Sequence, residues 1–247
     1  MSSVSGTANF NEVKISALSF EVLVSKILSR EIESHIHLAA ASTITEANSN
    51  LRLRAILNHG ITICDSKPLS AWLSYRGYKI DQIRGVDLFR EILKLSAEHN
   101  KHFFLGGTDN TLNKLIDRVK NDYPSAGIAG FFSPKFGHPS EVEIQSWSNI
   151  VKNSGANILW IGLGSPKQDF VSYEMSIITG KTVIAVGAAF DFLAGTVREA
   201  PRIVQVLGLE WFYRFCSEPK RLWQRYTIGN LKFIILLLKD LSQNSRR

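Results

Sequence analysis

Residues 157–169 read NILWIGLGSPKQD. An apolar, strand-length run, Ile158 to Leu163, breaks on two glycines and passes into a segment of helical character. Ser165 suits an N-cap and Pro166 the first helical position. Gly162 and Gly164 let a ligand approach the backbone, and the free N–H groups and positive end of the helix favour a phosphate there. Lys167 adds a cation, and Gln168 adds donors and an acceptor. An ordinary strand-to-helix turn has the same spacing. The dinucleotide fingerprint does not fit, because Lys167 stands where it needs Gly or Ala.

Outward from this turn the pattern repeats. Short apolar runs recur at Ile36 to Ala41, Ile61 to Cys64, His102 to Leu105, Ile128 to Phe132 and Thr182 to Val186. Between them lie helical patterns, Val86 to His99, Asn110 to Asp122 and Glu141 to Asn153. Strands apolar on both faces, separated by helix-length segments, predict a Rossmann-like α/β fold: a mostly parallel sheet with helices on both faces. In such sheets ligands bind beyond the C-terminal strand ends. Near Ala200 the pattern changes to an aromatic and basic stretch, GLEWFYRFCSEPKRLWQRY, followed by a candidate helix over 220–241. The reading is therefore a catalytic domain over 1–200 and a helical C-terminal appendage over 201–247.

Composition narrows the function classes. The 247 residues are 45% hydrophobic and 21% charged, as in ordinary globular proteins and unlike disordered, collagen-like or coiled-coil chains. Two cysteines, Cys64 and Cys216, cannot make a disulfide framework, so a reducing, cytoplasmic setting is expected. No signal-peptide pattern opens the chain, and the longest purely apolar run, Phe233 to Leu238, is far short of the ~20 residues that span a bilayer. The net charge of +7 is lopsided: residues 198–247 carry ten Lys and Arg against four Asp and Glu, or +6. Such a tail suits an anionic partner: nucleic acid, a lipid surface or a phosphorylated substrate. Arg214, Lys220, Arg221 and Arg225 are interleaved with Trp211, Tyr213, Trp223 and Tyr226, which favours a membrane interface, with burial against the body as the competing reading.

Two further stretches carry carboxylates. In ITICDSKPL, Asp65 follows a strand at the ligand edge, where it would serve as a general base or merely cap the next helix. In AVGAAFDFLAGT, Gly187 opens a small-residue turn, and Asp191 between two phenylalanines needs partners if buried. Sugar hydroxyls, a cap or an ion pair would all serve. No D-x-D, P-loop or GxSxG elbow occurs, so a bound nucleotide diphosphate would rely on Arg, Lys and helix N-termini. The six His residues form no HExxH. His35 and His37 flank a strand and read as structural.

Together GLGSPKQD, AVGAAFDFLAG and GLEWFYRFCSEPKRLW resemble the WecG/TagA/CpsF glycosyltransferases, glycosyltransferase family 26. RGVDLF (84–89), FFLGG (103–107) and FFSPKFG (131–137) extend the resemblance over about His35 to Tyr226. It implies a bacterial, inverting glycosyltransferase without metal or other cofactor. A sugar such as N-acetylmannosamine or glucose would pass from a UDP-sugar to a polyprenyl-diphosphate-linked saccharide, for cell-surface polysaccharide. The enzyme would sit peripherally on the cytoplasmic face of the membrane, bind no nucleic acid, and be compatible with a homo-oligomer. Asp65 matches the family's base. Arg84 would hold anionic groups, while Gln168 and Asp191 line the nucleotide-sugar pocket with Gly162, Gly164, Lys167 and Gly187. Arg214, Arg221 and Arg225 would meet the acceptor diphosphate or the UDP leaving group. Two departures stand out: Leu38, Ala39 and Ala40 replace the family's Thr-x-Asn, and Ser66 replaces a Gly. A degenerate member that binds substrate without turnover is the alternative. A nicotinamide-dependent oxidoreductase is the reading disfavoured by the broken glycine fingerprint.

Overall fold

The structure, a computed structural model, describes residues 6–244, without the side chains of Arg221, Gln224, Arg225, Gln243 and Asn244. The chain opens with β1 (Thr7–Phe10), β2 (Val13–Ser16) and α1 (Phe20–Leu28). There follow β3 (His35–Ala39), α2 (Ala41–Ser49), α3 (Leu51–His59), β4 (Ile61–Cys64), α4 (Lys67–Tyr75) and α5 (Gly85–Leu95). The middle holds β5 (Lys101–Gly106), α6 (Asp109–Asp122), β6 (Gly127–Phe132), α7 (Glu141–Ser154), β7 (Ile158–Gly162), α8 (Lys167–Thr179) and β8 (Thr182–Ala185). The end is helical: α9 (Ala189–Ala194), α10 (Arg202–Val206), α11 (Glu210–Ser217) and α12 (Pro219–Asn244).

β3 to β8 form one sheet in the order β4-β3-β8-β7-β5-β6, and every pairing in it is parallel. Side chains alternate between two covered faces, which is why the strands read as unbroken apolar runs. Phe104, Ile158 and Trp160 pack toward α1, α5, α6 and α9. Phe103, Leu105, Leu159 and Ile161 pack toward α7 and α8. Helix ends follow local chemistry. Ser140 and Glu143 close a capping box on α7, and Gly155, Gly180 and Gly195 end helices in the left-handed region.

The N-terminal hairpin of β1 and β2, which no sequence pattern announced, makes a third core with α2, α3, α4 and α12. Phe233 and Leu236 of α12 are buried there, and the Phe233 ring lies 6.1 Å from that of Phe10. Asp240 accepts from the Trp72 indole at 3.0 Å and from Arg76 at 3.1 Å. One stripe of α12 therefore belongs to the body. Trp223, Ile234 and Leu238 of the same helix, with Trp211 and Phe212 of α11, stay exposed. Among the described residues no helix is long and apolar enough to cross a membrane.

Candidate active site

Parallel pairing brings the turns after β4, β3, β8, β7 and β5 into one row along the C-terminal edge. Asp65 opens that row. Its N–H donates to Ala39 O at 3.1 Å, and Ile83 N–H donates to Cys64 O at 2.8 Å, which brings the start of α5 beside it. Ser66, not Asp65, caps α4, its hydroxyl accepting from Leu69 N–H. The Asp65 carboxylate is thereby left for other work and accepts from Gly85 N–H. Burial pushes its pKa up to about 7, and the negative charge of Glu210 adds to this, against Arg84, the Gly85 N–H and Arg214. Near neutrality it can both hold and release a proton. The neighbouring Cys64 thiol is inert, pushed up to about 12 chiefly by burial.

Arg84 precedes α5 and is enclosed by carboxylates. It reaches Asp87 at 3.0 Å, Glu199 at 2.7 Å and Glu210 at 2.6 Å. Arg90 shares Glu199 at 2.7 Å. Burial alone would lower Arg84, but its hydrogen bonds to Glu199 and Glu210 raise it above its ordinary value, so it stays cationic. The cluster clamps the segment after α9 and the start of α11 onto the sheet edge. Arg214 lies on α11, its guanidinium 5.6 Å from the centre of the Phe192 ring. Its Nε is buried with no hydrogen-bond partner, an orphan donor in a site otherwise closely satisfied.

The glycine turns meet at the middle of the row. Gly162 packs against Phe190, where a Cβ would fall 2.7 Å from the ring. Gln168 is buried and accepts from Gly164 N–H at 3.1 Å, and its amide lies against Gly187, whose φ is +56°. Asp191 lies in the first turn of α9, where it accepts from Thr196 Oγ1 at 3.1 Å and Thr111 Oγ1 at 3.3 Å. It caps no helix, and among the described residues it has no ion pair. Lys167 turns aside, donating to Gly137 O at 2.9 Å over the Phe136 ring. Ser165 does not cap α8 as its position suggests. That helix starts after Pro166, and the Ser165 hydroxyl donates to the buried Asp169 carboxylate at 2.6 Å.

Asp65, Arg84 and Arg214 thus gather at one end of the row, and Gly162, Gly164, Gln168, Gly187 and Asp191 line its middle. The side chains of Arg221 and Arg225 lie outside the described residues. Leu38, Ala39 and Ala40 do sit beside Asp65, as the sequence register predicts. Ala39 gives only its carbonyl, and Leu38 packs on Gly85, where a Cβ would come within 2.7 Å of it. Glu199 and Glu210 escaped the sequence reading. A requirement for counter-charges around a half-buried Arg84 would have pointed to them. Among the described residues, no group of three or more His, Cys, Asp or Glu is placed to hold a metal ion.

Comparison with known proteins places the chain in a family. A family model described as "Glycosyl transferase WecG/TagA/CpsF family" matches residues 8–247. A curated relative from Bacillus spizizenii, named N-acetylglucosaminyldiphosphoundecaprenol N-acetyl-beta-D-mannosaminyltransferase, is 29% identical over 160 residues. The aligned part covers 64% of this chain and 60% of that relative, less than two thirds of the relative's length.

Proposed function

This chain belongs to the glycosyl transferase WecG/TagA/CpsF family, and we propose that it transfers a sugar from a UDP-sugar to a polyprenyl-diphosphate-linked saccharide, with inversion and without a divalent ion. N-acetylmannosamine as the sugar and lipid-linked N-acetylglucosamine as the acceptor follow the name of the Bacillus relative. The observation that carries the reading is a carboxyl of raised proton affinity, Asp65, beside the orphan donor of Arg214. Ionised Asp65 takes the proton of the acceptor hydroxyl as that oxygen bonds to the anomeric carbon and the bond to UDP breaks. Gly162, Gly164 and Gly187 admit the diphosphate to the backbone, Gln168 and Asp191 face the nucleotide-sugar, and Arg214 offsets the charge of the leaving UDP or of the acceptor diphosphate. Arg84 acts by fixing Glu199 and Glu210, and so the position of α11.

Residues 201–247 serve as a docking appendage. The exposed Trp211, Phe212, Trp223, Ile234 and Leu238, with the basic charge of the tail, suit an anionic lipid surface on which the acceptor diphosphate is presented. Catalysis would then take place at the inner face of the membrane.

One observation favours a second reading. Leu38, Ala39 and Ala40 offer no side-chain hydrogen bond beside Asp65, which suits a member that binds substrate without turnover. A panel of radiolabelled UDP-sugars incubated with a synthetic lipid-diphosphate acceptor separates the two. Transfer above background supports the enzyme. UDP binding without transfer from any donor in the panel supports the second reading.

A further inference from the structure

Behind the glycine turn runs a continuous chain of hydrogen bonds that the reaction does not use. Ser165 Oγ donates to Asp169 Oδ2 at 2.6 Å, and Asp169 Oδ1 meets His37 Nδ1 at 2.8 Å. His37 Nε2 meets His35 Nδ1 at 2.6 Å, and His35 Nε2 meets His59 Nδ1 at 3.2 Å. His35 and His37 share one face of β3 because they are two residues apart, and both are fully buried. His59, at the end of α3, is exposed. The chain thus links solvent at the N-terminal edge of the sheet to the turn at its C-terminal edge. Packing holds it in place: the His35 and His59 rings are parallel with centres 5.5 Å apart, the Tyr173 ring stands perpendicular to both, and the Cβ of any residue replacing Gly60 would fall 2.3 Å from His35 Nδ1. By contrast His102, the other fully buried histidine, closes on Trp160 and on Ser96, whose hydroxyl reaches Ile92 O, without an exit.

The bonds fix the protons. With Asp169 accepting from both Ser165 and His37, His37 donates through Nδ1 and accepts at Nε2. His35 then donates through Nδ1 to His37, and His59 through Nδ1 to His35. In this arrangement the solvent-side nitrogen of His59 is an acceptor. A proton taken up there moves inward by one hop per ring: His59 Nδ1–H passes to His35 Nε2, and His35 Nδ1–H to His37 Nε2. The added proton then sits at His37 Nε2, while His37 Nδ1 faces Asp169. That proton does not rest on His35, which burial first, then the charges of His37 and His59, lower to about 3. The remaining ionisable groups on the packed helices α3 and α8 are Tyr173, Arg54 paired with Glu12, Lys167 on Gly137 O, and the Arg52–Glu174 pair at 3.1 Å.

We propose that His59, His35 and His37 form a proton relay, and that Asp169 and Ser165 are positioning residues through which it makes the grip of the glycine turn on an anionic nucleotide respond to pH. The proposal rests on the nucleotide reading of that turn. Protonation converts a lone buried negative charge behind the turn into a neutral pair, so an anionic diphosphate binds more tightly as pH falls.

The test has two arms. In the first, nitrogen-15 spectra of histidine-labelled full-length protein are followed from pH 8 to pH 5. Three neutral rings protonated at Nδ1 at pH 8, and an imidazolium at His37 with His35 still neutral on acidification, are expected. A His37 that stays neutral to pH 5 overturns the relay. In the second, UDP binding is measured by calorimetry in Asp65→Asn protein, so that Asp65 does not titrate. The Kd should fall severalfold from pH 8 to pH 6, relative to the same protein carrying Asp169→Asn, which has no charge behind the turn to neutralise. A pH dependence unchanged by Asp169→Asn overturns the link to the turn, while the ring spectra stand on their own. No UDP binding at any pH would instead refute the nucleotide reading of the cleft.

Discussion

Replacing Asp65 with Asn removes one recessed charge and keeps the shape of the side chain. Gly85 N–H can still donate to the amide oxygen, so the packing at the start of α5 survives. In the native protein the carboxyl is raised from 3.8 to about 7, chiefly by burial. The folded state therefore holds this proton more tightly than the unfolded chain does. Its stabilising effect is complete below pH 4, declines as pH rises through 4–7, and is gone above 7. About three pKa units at ~1.36 kcal/mol each set an upper bound of about 4 kcal/mol for the burden of the ionised carboxylate at pH 8. Solvent reaching a half-buried group reduces this to about 2–3 kcal/mol. Asp65→Asn should thus be more stable than the wild type at pH 8, by roughly 5–10 °C in Tm for a chain of this size. The advantage should vanish by pH 4. Thermal and urea unfolding at matched ionic strength would measure it. A variant that is destabilised at pH 8, or offset equally at pH 4 and pH 8, would refute the assignment of a raised pKa and with it the basis for Asp65 as a base near neutrality.

Three other outcomes are expected. Arg84→Ala leaves Glu199 and Glu210 without their shared cation and should cost about 3–5 kcal/mol in urea unfolding, where a change below 1 kcal/mol would show that the clamp is idle. Arg214→Ala should lower kcat/KM for the lipid-linked acceptor about 10- to 100-fold with Tm nearly unchanged, since its Nε has no partner in the folded protein. Phe212→Ser with Trp223→Ser should abolish sedimentation with anionic liposomes while leaving Tm within a few degrees. Truncation near Gly208 is a poorer test, because it also removes Phe233 and Leu236 from the core.

The sheet was legible because burial on both faces makes strands such as Ile158 to Gly162 and Ile61 to Cys64 apolar without alternation, and the intervening helices carry plain caps. The β1–β2 hairpin was not legible: each strand has only four residues, and its buried face packs in part against α12, more than 200 positions away. The glycine turns and Asp65 could be placed from strand–turn–helix order alone, since parallel sheets gather such turns on one edge. The partners of Arg84 could not, because Glu199 and Glu210 lie 115 and 126 residues further along the chain. The tail divides by face. Its aromatic and basic composition does not distinguish the stripe of α12 that enters the core from the one that stays outside. His35 and His37 illustrate the same limit, since their partners His59 and Asp169 lie 24 and 132 residues away along the chain.

The most direct test of the proposed reaction is the pH–rate profile for transfer of a radiolabelled sugar from UDP to a synthetic polyprenyl-diphosphate acceptor, compared between the wild type and Asp65→Asn. Transfer should rise with pH to a plateau above an inflection near 7, and fall by about 10²–10⁴ in the variant. Undiminished transfer by Asp65→Asn would contradict the account.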